Sequence, residues 1–117
     1  TWIKSMNDPT WVRKNGGKPN KEPGEPYQDP KAFDDWLAKN VGSFEEVDLL
    51  VLFGLTADRC VLSTAQQLCH RGYDVKVLAE ATDVANGVQA EKERFLKSTP
   101  FIYWAEPITF REIEQLI

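Results

Sequence analysis

The chain has 117 residues, of which 14 are Lys or Arg and 18 are Asp or Glu, so that its net charge is −4 at pH 7. This length is enough for one domain at most. An acidic balance without a basic stripe argues against a nucleic-acid partner. The longest apolar run is too short to span a bilayer, which argues against a membrane partner.

Residues 1–30 form a polar region rich in Asn, Gly, Lys and Pro, a composition typical of loops. We expect one short strand in it, over residues 10–13. Trp2 and Trp11 are expected to anchor this region, because two large apolar rings are unfavourable in water.

The helix and strand patterns begin after this loop. Asp29 followed by Pro30 predicts a helix start, with an N-cap acceptor and a proline at the first helical position. Gly42 is expected to end that helix. The further predicted elements, from apolar periodicity, are a strand over 47–53, a helix over 57–70, a strand over 74–78, a loop over 80–87, a helix over 88–98, a strand over 101–104 and a last helix from Pro107.

Strands that alternate with helices in this way form a parallel sheet. Three strands alone leave open edges and half-covered faces. We therefore predict the α/β class with a three-layer α/β/α, Rossmann-like sheet. The sheet is expected to be incomplete in this chain and to be completed by an N-terminal segment or a partner chain.

The stretch that carries the candidate chemistry is GLTADRCV, residues 54–61. The apolar run before it predicts a strand buried on both faces, and Gly54 is expected to break that strand. Cys60 then falls in the first helical turn, where unpaired amides and the positive helix end favour the thiolate, the nucleophilic form. The alternative is that Cys60 is an inert buried thiol, which is the interpretation we favour for Cys69 in mid-helix.

Two other polar residues have structural interpretations. Asp58 is expected to cap the helix, the alternative being that it orients Arg59. His70 is expected to lie near the surface in the last helical turn, where positive charge suits the helix dipole. No residues have the spacing of metal ligands, so we expect no metal and no other cofactor.

The string GLTADRCVLSTA at residues 54–65, with Gly72-Tyr73 after the helix and Glu80-Ala81-Thr82 further on, resembles the isochorismatase-like cysteine hydrolases. That superfamily includes nicotinamidases, N-carbamoylsarcosine amidases and ureidoacrylate amidohydrolases. The resemblance extends from about Phe33 to the C-terminus. It implies that residues 31–117 are the C-terminal part of a single hydrolase domain.

The resemblance also implies roles for particular residues. Cys60 would be the nucleophile, and the backbone amides of Thr56 and Cys60 would stabilise the oxyanion. A cis peptide would join Leu55 to Thr56.

The family pairs its cysteine with a lysine and an aspartate. Lys14 matches the lysine by strand context and is our candidate, Lys21 matches it by distance along the chain, and a lysine outside this chain is the third possibility. No apolar strand here ends in the family's aspartate. We therefore expect the chain to be the C-terminal part of a longer hydrolase that is active only with its N-terminal portion.

These observations together predict an amidase-like cysteine hydrolase that cleaves a carbon–nitrogen bond of a small molecule through a thioester-type intermediate on Cys60. We expect a homo-oligomer. Two thiols too far apart along one helix for a disulfide indicate a cytoplasmic protein. The alternatives are a catalytically silent isochorismatase-like interaction or regulatory module and a flavodoxin-type binding domain. The latter would need phosphate-binding clusters that the sequence lacks.

Overall fold

The protein is described here by a computed structural model that covers residues 1–98 and 104–116. Within these ranges no helix has the length and apolar character needed to cross a membrane. The elements in chain order are β1 (Trp11–Arg13), β2 (Pro26–Gln28), α1 (Pro30–Asn40), β3 (Leu50–Leu55), a π-helical turn (Ala57–Val61), α2 (Leu62–His70), β4 (Val75–Asp83), α3 (Gln89–Leu96), β5 (Glu106–Ile108) and α4 (Phe110–Leu116).

The main sheet is parallel, with the strand order β3-β4-β5. The helix α2 lies in the connection between β3 and β4, and α3 lies in the connection between β4 and β5. This arrangement confirms the predicted α/β class and the parallel pairing. A separate antiparallel pair, β1 with β2, contains the predicted short strand and a partner that the sequence pattern did not reveal.

The β3–β4 ladder corrects two predicted boundaries. Gly54 does not end its strand: it lies inside β3 with a φ of 125°, where the register shifts between Leu52 and Gly54. A glycine tolerates such an angle, so the strand continues through an irregularity instead of stopping. Thr82 and Asp83 pair with Gly54 and Leu55, which extends β4 through residues predicted to be a loop.

The prediction of a last helix from Pro107 is wrong. Pro107 lies in β5, opposite Val77, and α4 begins at Phe110. Within the described part of the chain β5 pairs on one side only, and a proline is tolerated in such a strand because its missing N–H can face away from the ladder. Most of the strand predicted over 101–104 lies outside the described residues, and Trp104 is in a turn.

Helix α1 begins and ends as its sequence predicts. The Asp29 carboxylate accepts a hydrogen bond from the Ala32 amide at 3.1 Å. At the other end Gly42 has a φ of 105°, and its amide donates to the Leu37 carbonyl. The helix buries Phe33 and Leu37, and this buried face receives the N-terminal segment.

The predicted anchoring of the N-terminal segment through Trp2 is confirmed. The Trp2 ring lies 5.4 Å from Phe33 and 6.0 Å from Trp36, measured between centroids. Its indole Nε1 donates to the Pro9 carbonyl at 2.7 Å. Aromatic pairs at these separations are favourable, so the first residues of the chain are held against α1.

The core includes one face of the segment predicted as the second helix, since Val61, Ala65 and Leu68 are all buried. The expectation that β3 is buried on both faces is wrong, however, because Phe53 is 67% exposed and Leu55 71% exposed. In the described structure β3 is an edge strand, so part of its apolar surface has nothing to pack against.

Replacing Asp29 by alanine should destabilise the fold by about 1 kcal/mol, because the N-cap bond to Ala32 is lost. The matched control is Asp35→Ala in the same helix, which removes only an exposed ion pair with Lys31 and should have a much smaller effect. Urea unfolding of both variants measures the difference. Equal changes in the free energy of unfolding would contradict the capping role.

A cross-strand ion pair should make stability depend on pH. Lys76 of β4 donates to Glu106 of β5 at 2.7 Å, and this hydrogen bond, together with the lysine charge, lowers the pKa of Glu106. Because the folded-state pKa is lowered, the contribution is present at neutral pH and is lost as the pH falls below about 4.5.

The variant Glu106→Gln should therefore lose less stability than the natural chain between neutral pH and the acid side of that value. Glu114→Gln, at an exposed position of α4, is the control for removing a carboxylate. Thermal unfolding followed over this pH range measures the effect. An unchanged acid dependence in Glu106→Gln would show that the pair does not contribute.

Candidate active site

Cys60 lies just beyond the carboxyl end of β3, the edge at which open α/β sheets bind ligands. The chain enters the following helix through a π-helical turn, Ala57–Val61. The amides of Arg59 and Val61, on either side of Cys60, both donate to the Thr56 carbonyl, at 3.1 and 3.0 Å. This wide turn holds Cys60 half-buried beside the end of the strand.

The peptide bond between Leu55 and Thr56 is cis, as expected from the family resemblance.

The cavity beside Cys60 has a volume of about 230 Å³. Its walls combine apolar side chains with three polar ones, Cys60, Thr64 and Lys4. Among the described residues that line it there is one cation, Lys4, and no carboxylate. The full set of lining residues is Lys4, Leu52, Phe53, Leu55, Cys60, Val61 and Thr64.

The N-terminal segment brings both Lys4 and Asn7 to this cavity region. The Cys60 thiol donates to the side-chain oxygen Oδ1 of Asn7, with Sγ and Oδ1 3.2 Å apart. Lys4 donates from Nζ to the main-chain carbonyl of Asn7 at 2.9 Å. A residue of the loop and a residue of the helix, 53 positions apart, are therefore directly joined.

The lysine predicted from sequence is elsewhere. Lys14 is exposed just after β1, and Lys21 is exposed in the β1–β2 loop. Neither is among the residues that line the Cys60 cavity, whereas Lys4 is. Sequence reasoning missed Lys4, although it follows the anchored Trp2 by two positions, a feature that could have directed attention to it.

A second apolar groove of about 280 Å³ lies next to the Cys60 cavity and shares Lys4, Leu52 and Thr64 with it. The groove runs between the N-terminal segment, α1, β3 and α2. Its apolar lining includes Trp36 and Leu50. Phe53 and Leu55, which line the Cys60 cavity, are exposed apolar side chains of β3.

Asp58 does not cap the helix, contrary to expectation. The turn has no side-chain cap, and the Asp58 oxygen Oδ1 is buried without a hydrogen-bond partner among residues 1–98 and 104–116. Asp58 instead lines another cavity, of about 410 Å³, together with Asn86, Glu91 and Arg94. This larger cavity does not include Cys60 among its lining residues.

His70 and Cys69 are not among the residues that line the Cys60 cavity. His70 is exposed at the end of α2 and meets the Trp104 ring edge-on at 4.9 Å. Cys69 is half-buried in α2, and neither cysteine is in a disulfide. Residues 1–98 and 104–116 contain no group of three His, Cys, Asp or Glu side chains placed to hold a metal ion.

Comparison of the chain with protein-family models, with curated proteins and with solved structures finds no match.

Proposed function

We propose that this protein is a cysteine hydrolase, or part of one, that cleaves a carbon–nitrogen bond of amide type in a small molecule. The observation that carries the proposal is the position of Cys60, half-buried on a cavity at the carboxyl end of β3, with Lys4 among the residues that line the same cavity. The resemblance of residues 54–65 to the isochorismatase-like cysteine hydrolases supports the same chemistry.

In the proposed reaction the Cys60 thiolate attacks the carbonyl carbon and a sulfur–carbon bond forms. The negative charge that develops on the carbonyl oxygen would be stabilised by the backbone amides of Thr56 and Cys60. The carbon–nitrogen bond then breaks, and the nitrogen leaves with a proton from a general acid. Water attacks the resulting thioester and releases the carboxylic acid and the thiol.

Lys4 is the cation that we assign to the nucleophile, in place of Lys14. A positive charge near a thiol favours the thiolate. Lys4 lines the cavity of Cys60, and it is held there by its hydrogen bond to the Asn7 carbonyl. Lys14 has an exposed position after β1 and is not among the described residues that line this cavity.

The general acid and base would come from outside this chain, because no carboxylate is among the described residues that line the cavity. The exposed apolar side chains of Phe53 and Leu55 on the edge strand β3 favour the addition of a further strand. We propose that an N-terminal segment or a partner chain supplies it and completes a three-layer α/β/α sheet. Homo-oligomer formation and a cytoplasmic location belong to the same proposal.

Alkylation by iodoacetamide at pH 7 tests the nucleophile without knowledge of the substrate. Cys60 should react about tenfold faster or more than Cys69, because it lies on a cavity beside a cation. Peptide mass spectrometry after brief exposure measures both sites in one sample, and Cys60→Ser confirms the assignment. Equally slow alkylation of the two thiols would favour the catalytically silent module instead.

Charge-removing variants distinguish the two lysines. Lys4→Gln should slow alkylation of Cys60 at pH 7 by about threefold or more at low ionic strength, because the thiolate loses its neighbouring cation. Lys14→Gln is the matched variant and should leave the rate unchanged. The reverse outcome would return the role to Lys14, and no effect of either variant would remove the cation from the proposal.

A further inference from the structure

The hydrogen bond between Cys60 and Asn7 is made by a loop that other contacts hold in place. Asn7 belongs to a loop fastened on both sides of it. Before it, the Ser5 amide donates to the Trp11 carbonyl at 2.8 Å. After it, the Asp8 carboxylate accepts from Gln67 of α2 at 3.0 Å.

The second of these contacts aligns the loop with the helix that carries the thiol. Gln67 lies seven positions after Cys60, about two helical turns further on, so the two side chains share one face of this helical segment. Asp8 also accepts from the amide and the hydroxyl of Thr10, at 2.8 and 2.7 Å. Asp8 thus fixes the loop on the helix face that presents Cys60.

We propose that Asn7 is a positioning residue for the Cys60 nucleophile, with its carboxamide serving both protonation states of the sulfur. This inference rests on the proposed function. In the thiol state the Asn7 oxygen Oδ1 accepts from the S–H, as the 3.2 Å contact indicates. When the thiol ionises, its proton passes to solvent or to a base, and the sulfur becomes an acceptor only.

The carboxamide can hydrogen-bond to both the thiol and the thiolate, because it carries an acceptor and two donors on one planar group. Rotation about its last bond replaces Oδ1 with the Nδ2 amino group, which then donates to the thiolate. An aspartate of the same shape has no donor when ionised and adds a negative charge, and an alanine has neither group. The three residues at position 7 therefore predict three different stabilities for the thiolate.

The test is the dependence of the Cys60 alkylation rate on pH in the 117-residue chain, measured with iodoacetamide and peptide mass spectrometry. Asn7→Ala should move the midpoint of the rate curve to higher pH, and Asn7→Asp should move it further, lowering the rate at pH 7 by about tenfold. Asn20→Asp, which adds the same charge in an exposed turn, should leave the midpoint in place. A merely structural role for Asn7 would not shift this midpoint.

Each other outcome has a defined meaning. If both Asn7 variants keep the natural midpoint, the positioning role is wrong. If Asn7→Asp shifts it and Asn7→Ala does not, the effect is charge alone and the donor role is wrong. If Cys60 in the natural chain is alkylated no faster than Cys69, the proposed hydrolase function fails first, independently of Asn7.

Discussion

The turn by which the chain leaves β3 is the constraint on which the candidate site depends. Two amides converge on the Thr56 carbonyl, and the helix therefore starts through a wide π-helical turn. Gly54, with its positive φ, lets β3 continue up to this turn. Cys60 is consequently carried on the turn between β3 and α2, and it lines a cavity together with Leu55 at the strand end. Sites held on regular elements keep their geometry better than sites on mobile loops.

The other half of the site arrives by a different route. Trp2 packs against Phe33 and Trp36 of α1, and Asp8 bonds to Gln67 of α2. Between these two anchors lie Lys4, which lines the Cys60 cavity, and Asn7, which accepts a hydrogen bond from the Cys60 thiol. The polar N-terminal region therefore contributes to the candidate site, because the packing of Trp2 on α1 holds the Lys4 charge and the Asn7 carboxamide near Cys60.

The surface around the candidate site has features that are typical of an unfilled interface. An edge strand with an exposed apolar end lies beside an apolar groove, and the cavity next to it has a cation without a carboxylate among its described walls. Unpaired strand edges and exposed apolar patches are typical of surfaces that receive another segment. Under the proposed function, the added segment would supply the proton donor and exclude bulk water.

The sequence alone determined features that depend on neighbours along the chain: the capped start of α1 at Asp29, its end at Gly42, the α/β class and the position of Cys60 after a strand. It did not determine the bounds of β4 and β5, because register at Gly54 and the tolerance of Pro107 depend on which strands lie alongside. It also directed attention to Lys14 for its strand context and left Lys4 unnoticed. Only the tertiary structure decided which N-terminal residues lie near Cys60. The contact between Asn7 and Cys60 forms because Trp2 packs on α1 and Asp8 bonds to α2, and no local sequence pattern specifies contacts between residues so far apart in the chain.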